Sequence, residues 1–421
     1  MTRSLRPHAL PSAVRPAFSN RSRFQLARLP GAGALLLGCP VSGSQSPRPG
    51  ELLAPPPEGQ GIQLEMRTEI EPGEEVEHCK FIQMPASGLN VNRTETRFTS
   101  GSHHVLLYRT QYTSIPTQKQ DGTQVDTSDV FDCSDGATNG WDVLDVIGGS
   151  QNAEGGTFSE FPDNVAMRVE PNTVLMINAH YINTTQKPIE PLVKINLETI
   201  PDSQVEHEGG ILFYYNIFIR ANGMAKSQAR MRCAVPNDIT LLNAQSHMHA
   251  RGVDYSAEIL QEGKEAQPLY QNDRWENVPV KTWDSGLAIQ GGSQIDYRCH
   301  YDNPEERTAW QGPRTTDEMC MFIGAYYPAT PGASFCSYDL DNGIDTQQIG
   351  AKWIGNGTKT CAESLLCLQT SASKGLEGVT DCVADVKEED SVMFSNALGC
   401  VFANSGSTSA CQTEIDTCLG K

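Results

Sequence analysis

The chain has 421 residues, and 51 acidic against 32 basic side chains give it a formal net charge of −19 and a pI near 4.9. This balance repels phosphate backbones and acidic lipid surfaces, so it argues against a nucleic-acid-binding protein. The length and the 38% hydrophobic content predict a soluble globular protein of two or three domains. The sequence contains no run of 18 apolar residues, so it does not predict a transmembrane helix.

The N-terminus has the layout of an export signal. Residues 1–28 hold six arginines and no acidic residue, and a short apolar segment then ends at Gly38, just before Cys39. This predicts a secretory signal over residues 1–38. The order Leu36-Leu37-Gly38-Cys39 resembles a bacterial lipobox, in which Cys39 becomes the lipidated first residue of the mature protein. We therefore expect a cell-envelope or extracellular protein, held on the outside of a bacterial membrane only through a lipid anchor. A disordered leader with a chance Leu-Leu-Gly-Cys order is the alternative.

Residues 39–61 are rich in Pro, Ser and Gly, which predicts a flexible tether. Beyond it, short strand-like segments such as His104–Tyr108 and Ile295–Cys299 follow one another, bounded by Gly, Pro, Asn or Asp. Helical periodicity is scarce. The pattern predicts a mainly β fold with two tandem antiparallel β-sandwiches of jelly-roll-like form, over residues 62–203 and 204–345.

The chain ends in a cysteine-rich segment that we expect to form a small disulfide-rich module over residues 355–421. It holds six of the thirteen cysteines, and the stretch Ala362–Cys367 favours a helix. Thirteen cysteines without a zinc-ribbon CxxC pair predict an oxidising compartment. If Cys39 is lipidated, twelve cysteines remain, an even number that can pair completely.

Five of the nine histidines lie in three compact motifs, His103-His104, His180 and His247-Met248-His249. On a strand, His247 and His249 point to the same face, so both imidazoles can reach one metal ion. His103 and His104 point to opposite faces of an extended chain, so they can share an ion only if the strand is bulged or ends there. That geometry needs a third ligand from elsewhere in the chain.

A methionine offers a ligand of a different kind. Met319 precedes Cys320 and an apolar strand-like segment that ends at Pro328. A strand here would hold the thioether beside the strand of His247 and His249, and a thioether added to imidazoles selects copper, above all Cu(I). The alternative is core packing, the usual role of methionine.

Taken together, these motifs resemble those of the type II, ascorbate-dependent copper monooxygenases, the family of dopamine β-hydroxylase and the peptidylglycine α-hydroxylating monooxygenase. The resemblance covers about residues 75–340, without the leader and the tail. Cys299–Glu305 and Tyr326–Pro328 look more like the dopamine β-hydroxylase branch. The other matching stretches, in the family's order, are Ser102–Tyr108, Asn178–Asn183, Ser246–Gly252 and Thr316–Cys320.

The resemblance implies two separate copper ions per chain, one in each sandwich. The implied electron-transfer site, CuH, consists of His103, His104 and His180. The implied catalytic site, CuM, where dioxygen binds and the substrate C–H bond is broken, consists of His247, His249 and Met319. The implied activity is hydroxylation of a small or medium organic substrate with O2 and an external one-electron reductant such as ascorbate.

The resemblance also implies two disulfide bonds, Cys299–Cys320 and Cys233–Cys336. Cys79 and Cys133 are then the remaining cysteines of the first sandwich.

The substrate positions depart from those of the peptide-amidating members. Where those enzymes hold the peptide carboxylate with a basic residue, an asparagine and a tyrosine, this chain has Gln245, Met321 and Ile323. A buried carboxylate without partners is strongly unfavourable, so we do not expect glycine-extended peptides as substrates. Two other functions stay open: a non-catalytic copper-binding or storage surface lipoprotein, and an adhesion protein whose function lies in the cysteine-rich tail.

Overall fold

A computed structural model of the chain describes residues 51–153, 155–330, 333–336, 350–404 and 406–421. These residues belong to one compact unit. The predicted leader, Cys39 and most of the predicted tether lie outside the described residues. Within the described part of the chain, no helix has both the length and the apolar character that a membrane span requires.

The structure is mainly β, with a small helical, disulfide-rich region at the C-terminus, which confirms the predicted fold class. The strands of the first half are β1 (Gly61–Arg67), β2 (Glu75–Gln83), β3 (Leu89–Phe98), β4 (Ser102–Thr110), β5 (Phe131–Asp132), β6 (Val143–Ser150), β7 (Gly156–Glu160), β8 (Val165–Val169), β9 (Val174–Ile182), β10 (Leu192–Thr199) and β11 (His207–Glu208). The strands of the second half are β12 (Gly210–Tyr215), β13 (Arg220–Ala221), β14 (Ala225–Ala234), β15 (Ile239–Met248), β16 (Gly252–Leu260), β17 (Gln267–Asn272), β18 (Lys281–Ile289), β19 (Gln294–Asn303), β20 (Ala309–Trp310), β21 (Cys320–Tyr327) and β22 (Lys352–Trp353).

Two sheets make up the first half. One has the strand order β1-β10-β3-β8-β11, with β7 paired to β3, and the other has the order β5-β2-β9-β4-β6. Both sheets contribute fully buried side chains to one core, Val91 and Ile195 from the first sheet and Val105 and Leu107 from the second. This is a sandwich arrangement, in which alternate residues of each strand face inward.

The second half also contains two large sheets, of order β12-β21-β15-β18 and β17-β16-β19-β14-β22, and a short β13–β20 pair. Their common core is rich in tyrosine. Tyr214 and Tyr326 come from the first of these sheets and Tyr255 and Tyr297 from the second, and all four side chains are buried.

The sheet that contains β12 and β21 contributes to both cores. Side chains alternate between the two faces of a strand, so each face of these strands can pack into a different core. The residues in the first core are Ile211, Phe213, Met321, Ile323 and Ala325, and those in the second core are Leu212, Tyr214, Phe322 and Tyr326. The two halves are therefore joined by buried apolar surface.

Four helices form the C-terminal region: α1 (Cys361–Ser371), α2 (Leu376–Asp385), α3 (Glu388–Ala403) and α4 (Gln412–Cys418). Helix α1 begins with a capping box, in which Thr360 and Glu363 exchange side-chain to backbone hydrogen bonds. The region packs against the second half, where Arg220 forms ion pairs with Asp381 and Asp385 at 2.8 and 2.6 Å.

The twelve cysteines of the described residues form six disulfide bonds. Three lie in the helical region, and three lie in the sandwiches. The pairs are Cys79–Cys133, Cys233–Cys336, Cys299–Cys320, Cys361–Cys418, Cys367–Cys382 and Cys400–Cys411.

Candidate metal centre

A β-bulge brings His103 and His104 to the same site. In the pairing of β4 with β9, Ser102 lies opposite Tyr181 and His104 lies opposite His180, so His103 is an extra residue on its strand. A bulge of this kind re-aims a side chain that would otherwise point to the other face of the sheet. The Nδ1 atoms of His103 and His104 lie 3.3 Å apart. The ligand atoms of His103, His104 and His180, hereafter the triad, all lie within 4.8 Å of one another.

The hydrogen bonds of His180 leave one ring nitrogen free. Its Nε2–H donates to Oε1 of Glu75 at 3.1 Å, whereas its buried Nδ1 has no hydrogen-bond partner. Buried polar atoms are normally paired, so an unpaired Nδ1 that faces two other imidazoles indicates a place for a ligand. A carboxylate on the second ring nitrogen is the usual outer partner of a metal-binding histidine.

His247 and His249 lie at and just beyond the end of β15, two positions apart. The Nδ1–H of His247 donates to Oε1 of Gln151 at 2.7 Å, and that of His249 donates to the backbone carbonyl of Asp317 at 3.0 Å. Each neutral ring therefore has its lone pair on Nε2. The Nε2 atom of His249 is buried without a partner.

Burial keeps these imidazoles in the neutral form that binds metals. It lowers the pKa of His180 to about 4, with an additional contribution from His103. It also lowers the pKa of His249 to about 4, although the hydrogen bond to Asp317 opposes the shift. The pKa values of His104 and His247 fall well below the ordinary histidine value for the same reason.

The five imidazoles form one contiguous group. The ring centroids of His104 and His247 are 5.7 Å apart, and those of His103 and His249 are 6.5 Å apart. These separations across the two halves are close to the 5.3 Å between His247 and His249 within one half. The resemblance implied separate sites in separate sandwiches. The ligands do come from both halves, and the sheet packed between the two cores brings the five rings together.

Met319 lies immediately before β21, the strand that pairs with β15 so that His247 faces Met321. Its side chain is half-buried and lines a cavity together with His104 and His247. The backbone at Met319 is held on both sides. Its carbonyl accepts a hydrogen bond from the Tyr301 hydroxyl at 2.9 Å, and the next residue forms the Cys299–Cys320 disulfide. We call His247, His249 and Met319 the His-Met set.

Glu318 ties the two segments of the His-Met set together. Its fully buried carboxylate accepts hydrogen bonds from the backbone N–H groups of His249 and Arg251, at 3.2 and 3.0 Å, and pairs with the Arg251 guanidinium. Burial raises its pKa to about 7, against the effect of these hydrogen bonds and of Arg251. Sequence reasoning missed Glu318, Gln151 and Glu75; only Glu318 carried a signal, a charged residue directly beside a candidate ligand.

A cavity of about 650 Å³ opens between the two halves beside the imidazoles. Its walls are mostly apolar and aromatic. Gln245, Met321 and Ile323, the positions that differ from the peptide-amidating enzymes, all line it, and no described lining residue is a lysine or an arginine. The lining also includes the aromatic side chains of Trp141, Phe213 and Tyr215 and the carboxyl group of Glu77.

Glu77 is the buried carboxyl group of this cavity. Its side chain is 6% exposed and accepts a hydrogen bond from Nδ2 of Asn178 at 3.0 Å. Burial raises its pKa to about 7, with smaller contributions from Asp132 and Asp135. The nearest charges therefore make this side of the cavity acidic.

Comparisons with known proteins agree with this geometry. Residues 220–348 match the family described as "Copper type II ascorbate-dependent monooxygenase, C-terminal domain". The human protein named "Putative DBH-like monooxygenase protein 2" is 26% identical over 259 residues, 56% of this chain and 49% of that protein. The chain thus spans about half the length of this curated relative.

Two solved structures share a distant likeness. They are the major capsid protein P2 of bacteriophage PM2, with 9% identity over 64% of this chain and 100% of that chain and a TM-score of 0.26, and PNGase F, a glycosylasparaginase of Flavobacterium meningosepticum, with 8% identity over 63% and 94% and a TM-score of 0.27. TM-scores this low support no inference about function.

The match of residues 220–348 and the 26% identical relative support the resemblance to the copper type II, ascorbate-dependent monooxygenase family that the motifs indicated. The family implies copper, and the residues present fit it. The triad offers three neutral imidazoles with converging nitrogens. The His-Met set offers two imidazoles whose lone pairs lie on Nε2, beside a thioether that lines the same cavity as His247.

Proposed function

We propose that this protein is a copper-dependent monooxygenase that hydroxylates a C–H bond of an organic substrate. The reaction is R–H + O2 + 2 e⁻ + 2 H⁺ → R–OH + H2O, with the electrons from an external one-electron reductant such as ascorbate. The observation that carries the proposal is the pairing of five neutral imidazoles, in two chemically different ligand sets, with a cavity of substrate size. Copper, when bound, supplies one-electron redox chemistry and the activation of dioxygen.

The proposal includes two copper ions per chain, one at the triad and one at the His-Met set. Three imidazoles suit both oxidation states of copper, which is what an electron relay needs. The soft thioether of Met319 favours Cu(I), the state that reacts with dioxygen. Glu75 fixes the tautomer of His180, and Glu318 holds the loop that presents Met319 next to the His247 strand.

The cavity would bind and orient the substrate and exclude water from the reacting C–H bond. Its volume suits a small or medium organic molecule, and Trp141, Phe213 and Tyr215 provide apolar contact area. Because its described lining contains the buried Glu77 and no lysine or arginine, an anionic group would be buried without a partner. We therefore propose a largely apolar substrate that is neutral or cationic.

The alternative of a copper-storage protein explains less. Storage requires neither a second, thioether-containing ligand set nor a large apolar cavity beside it. No contact among the described residues favours that function.

The test is anaerobic copper loading followed by oxygen uptake with ascorbate, over matched panels of neutral, cationic and anionic aromatic compounds. We expect two copper ions per chain, uptake that depends on a neutral or cationic compound, and a hydroxyl oxygen derived from ¹⁸O2. One bound ion, or uptake without a hydroxylated product, would contradict the proposal.

A further inference from the structure

One side chain of the first half reaches across to a candidate metal ligand of the second. Gln151 directly follows β6, and its Oε1 atom lies 2.7 Å from Nδ1 of His247. Its amide nitrogen, Nε2, donates to the backbone carbonyl of Ser246 at 2.7 Å and to Oε1 of Gln245 at 3.0 Å. All three of these polar contacts of the Gln151 amide are to residues of β15.

These contacts fix the position of one proton. A backbone carbonyl can only accept a hydrogen bond, so the NH2 group of Gln151 must face Ser246 and its carbonyl oxygen must face His247. An amide oxygen can only accept, so Nδ1 of His247 must carry the proton and donate it. The neutral ring then has its lone pair on Nε2. Without an acceptor at Nδ1, the proton could move to Nε2 and occupy the ligand position.

The two histidines of the His-Met set differ in this respect. The Nδ1–H of His249 is satisfied by Asp317, which belongs to the same half of the molecule. The Nδ1–H of His247 is instead satisfied by Gln151, which belongs to the other half. One ligand is thus oriented within its own sandwich, and the other depends on the contact between sandwiches.

We propose that Gln151 is a positioning residue that selects the metal-binding tautomer of His247 across the boundary between the two sandwiches. The first sandwich thereby completes a ligand set that the second sandwich carries. The inference rests on the proposed function for the identity of the metal, but the tautomer itself is a property of the metal-free protein. By the behaviour of other outer-shell partners, loss of this contact weakens metal binding roughly 10–100-fold.

The test uses full-length, metal-free protein with ¹⁵N-labelled histidine, in which NMR distinguishes the two tautomers of His247. We expect Nδ1–H in the wild type and a shift toward Nε2–H in Gln151→Leu and Gln151→Ala. Cu(I) is diamagnetic, so titration against a Cu(I) chelator can be followed on the same His247 signal. We expect its apparent affinity to fall roughly 10–100-fold in both variants, with copper still bound at the triad.

The matched control is Asn152→Ala. Nδ2 of Asn152 donates to the backbone carbonyl of Val278 at 3.3 Å across the same boundary, but it touches no histidine. We expect this variant to keep the His247 tautomer and the Cu(I) affinity. An equal loss in Asn152→Ala would overturn the inference, because the effect would then come from the boundary as a whole.

The NMR spectrum of the wild type alone also tests whether His247 has the predicted tautomer. Nε2–H on His247 in the metal-free wild type would overturn the inference even if neither Gln151 variant folded, and would leave the proposed function standing. A protein with Nδ1–H on His247 that hydroxylates none of the compounds supports the inference and counts against the proposed function. The two claims therefore fail separately.

Discussion

At the scale of single residues, three of the five imidazoles, those of His180, His247 and His249, already have one ring nitrogen in a hydrogen bond. Glu75, Gln151 and the Asp317 carbonyl each occupy one ring nitrogen, and the other nitrogen is left for a ligand. Burial lowers the pKa of each ring, so protons compete with a metal less than they would at a free histidine. These three imidazoles are therefore neutral, with one ring nitrogen available to a metal, in the metal-free protein.

Met319→Ile should separate the two ligand sets. We expect it to leave Cu(II) binding at the triad intact and to remove substrate-dependent oxygen uptake, because it takes away the soft ligand that favours Cu(I). Copper content, Cu(II) spectra and oxygen uptake measure this. The matched control is Met321→Ile, a buried cavity residue on β21 that belongs to neither set, for which we expect both copper ions and a stability loss below about 1.5 kcal/mol. Wild-type turnover in Met319→Ile would show that the thioether has another role.

Glu77→Gln should change how stability depends on pH. The carboxyl pKa rises from 4.5 to about 7 on folding, so the folded state binds the proton more tightly than the unfolded state. The stability that this proton contributes is present below pH 4.5 and is lost as the pH rises to about 7. The shift corresponds to roughly 3 kcal/mol, and glutamine can still accept the Asn178 hydrogen bond.

Urea unfolding of metal-free protein at about pH 5 and about pH 8 tests this prediction. We expect the free energy of unfolding of Glu77→Gln, relative to the wild type, to increase by up to roughly 3 kcal/mol at the higher pH. The exposed Glu69→Gln is the control and should show no such change. A constant difference between Glu77→Gln and the wild type would mean that Glu77 is ionised in the folded protein.

At the scale of elements, the strands follow from the sequence because apolar alternation and turn residues are local signals. The predicted strand His104–Tyr108 lies within β4, and the predicted strand Ile295–Cys299 lies within β19. The condition that the strand be bulged or end at His103 and His104 also follows locally, because two adjacent residues of a regular strand cannot share a face. The structure contains that bulge.

The parts of the centre that sequence reasoning missed are contacts between distant segments. Gln151 lies 96 positions from His247, and Glu75 lies 105 positions from His180. Neither residue type, glutamine or glutamate in a β protein, signals a metal site by itself. Their roles depend on the register of strands that pack together only in the folded chain. The closeness of the two ligand sets was unpredictable for the same reason.

The Cys299–Cys320 disulfide should matter for position more than for folding. It links β19 to β21 directly after Met319, and closing a loop of 21 residues restricts the unfolded chain by roughly 3 kcal/mol. A ligand displaced by even about 1 Å can cost on the order of 100-fold in rate. We expect Cys299→Ser with Cys320→Ser to give folded protein that keeps copper at the triad but loses most of its oxygen uptake.

The control for the disulfide is the double variant Cys400→Ser and Cys411→Ser in the helical region. It removes a bridge that closes a shorter loop, with a sequence separation of 11 against 21, outside the segments that carry the two ligand sets, and we expect it to retain oxygen uptake. Unchanged activity without the Cys299–Cys320 bridge would show that Glu318 and Tyr301 suffice to position Met319.

At the scale of the whole molecule, location is a prediction of the sequence alone. The proposal is that a lipid on Cys39 attaches the protein to the membrane. We expect Cys39→Ser to release the protein from the membrane fraction or to leave its signal uncleaved. Mass spectrometry of the mature N-terminus is the measurement. An unmodified N-terminus at another residue would contradict the lipid anchor and leave the enzymatic proposal untouched.

The sheet shared by the two cores has a consequence for how the chain is made. Synthesis proceeds from the N-terminus, so the eleven strands of the first half are complete before β12, and well over a hundred residues before β21 is available. Until then, the side chains of the first core that later pack against Met321 and Ile323, including Phe213, are exposed to water. A chain truncated between β12 and β21 should therefore bind hydrophobic dyes and holding chaperones, and a chain that extends through β21 should not.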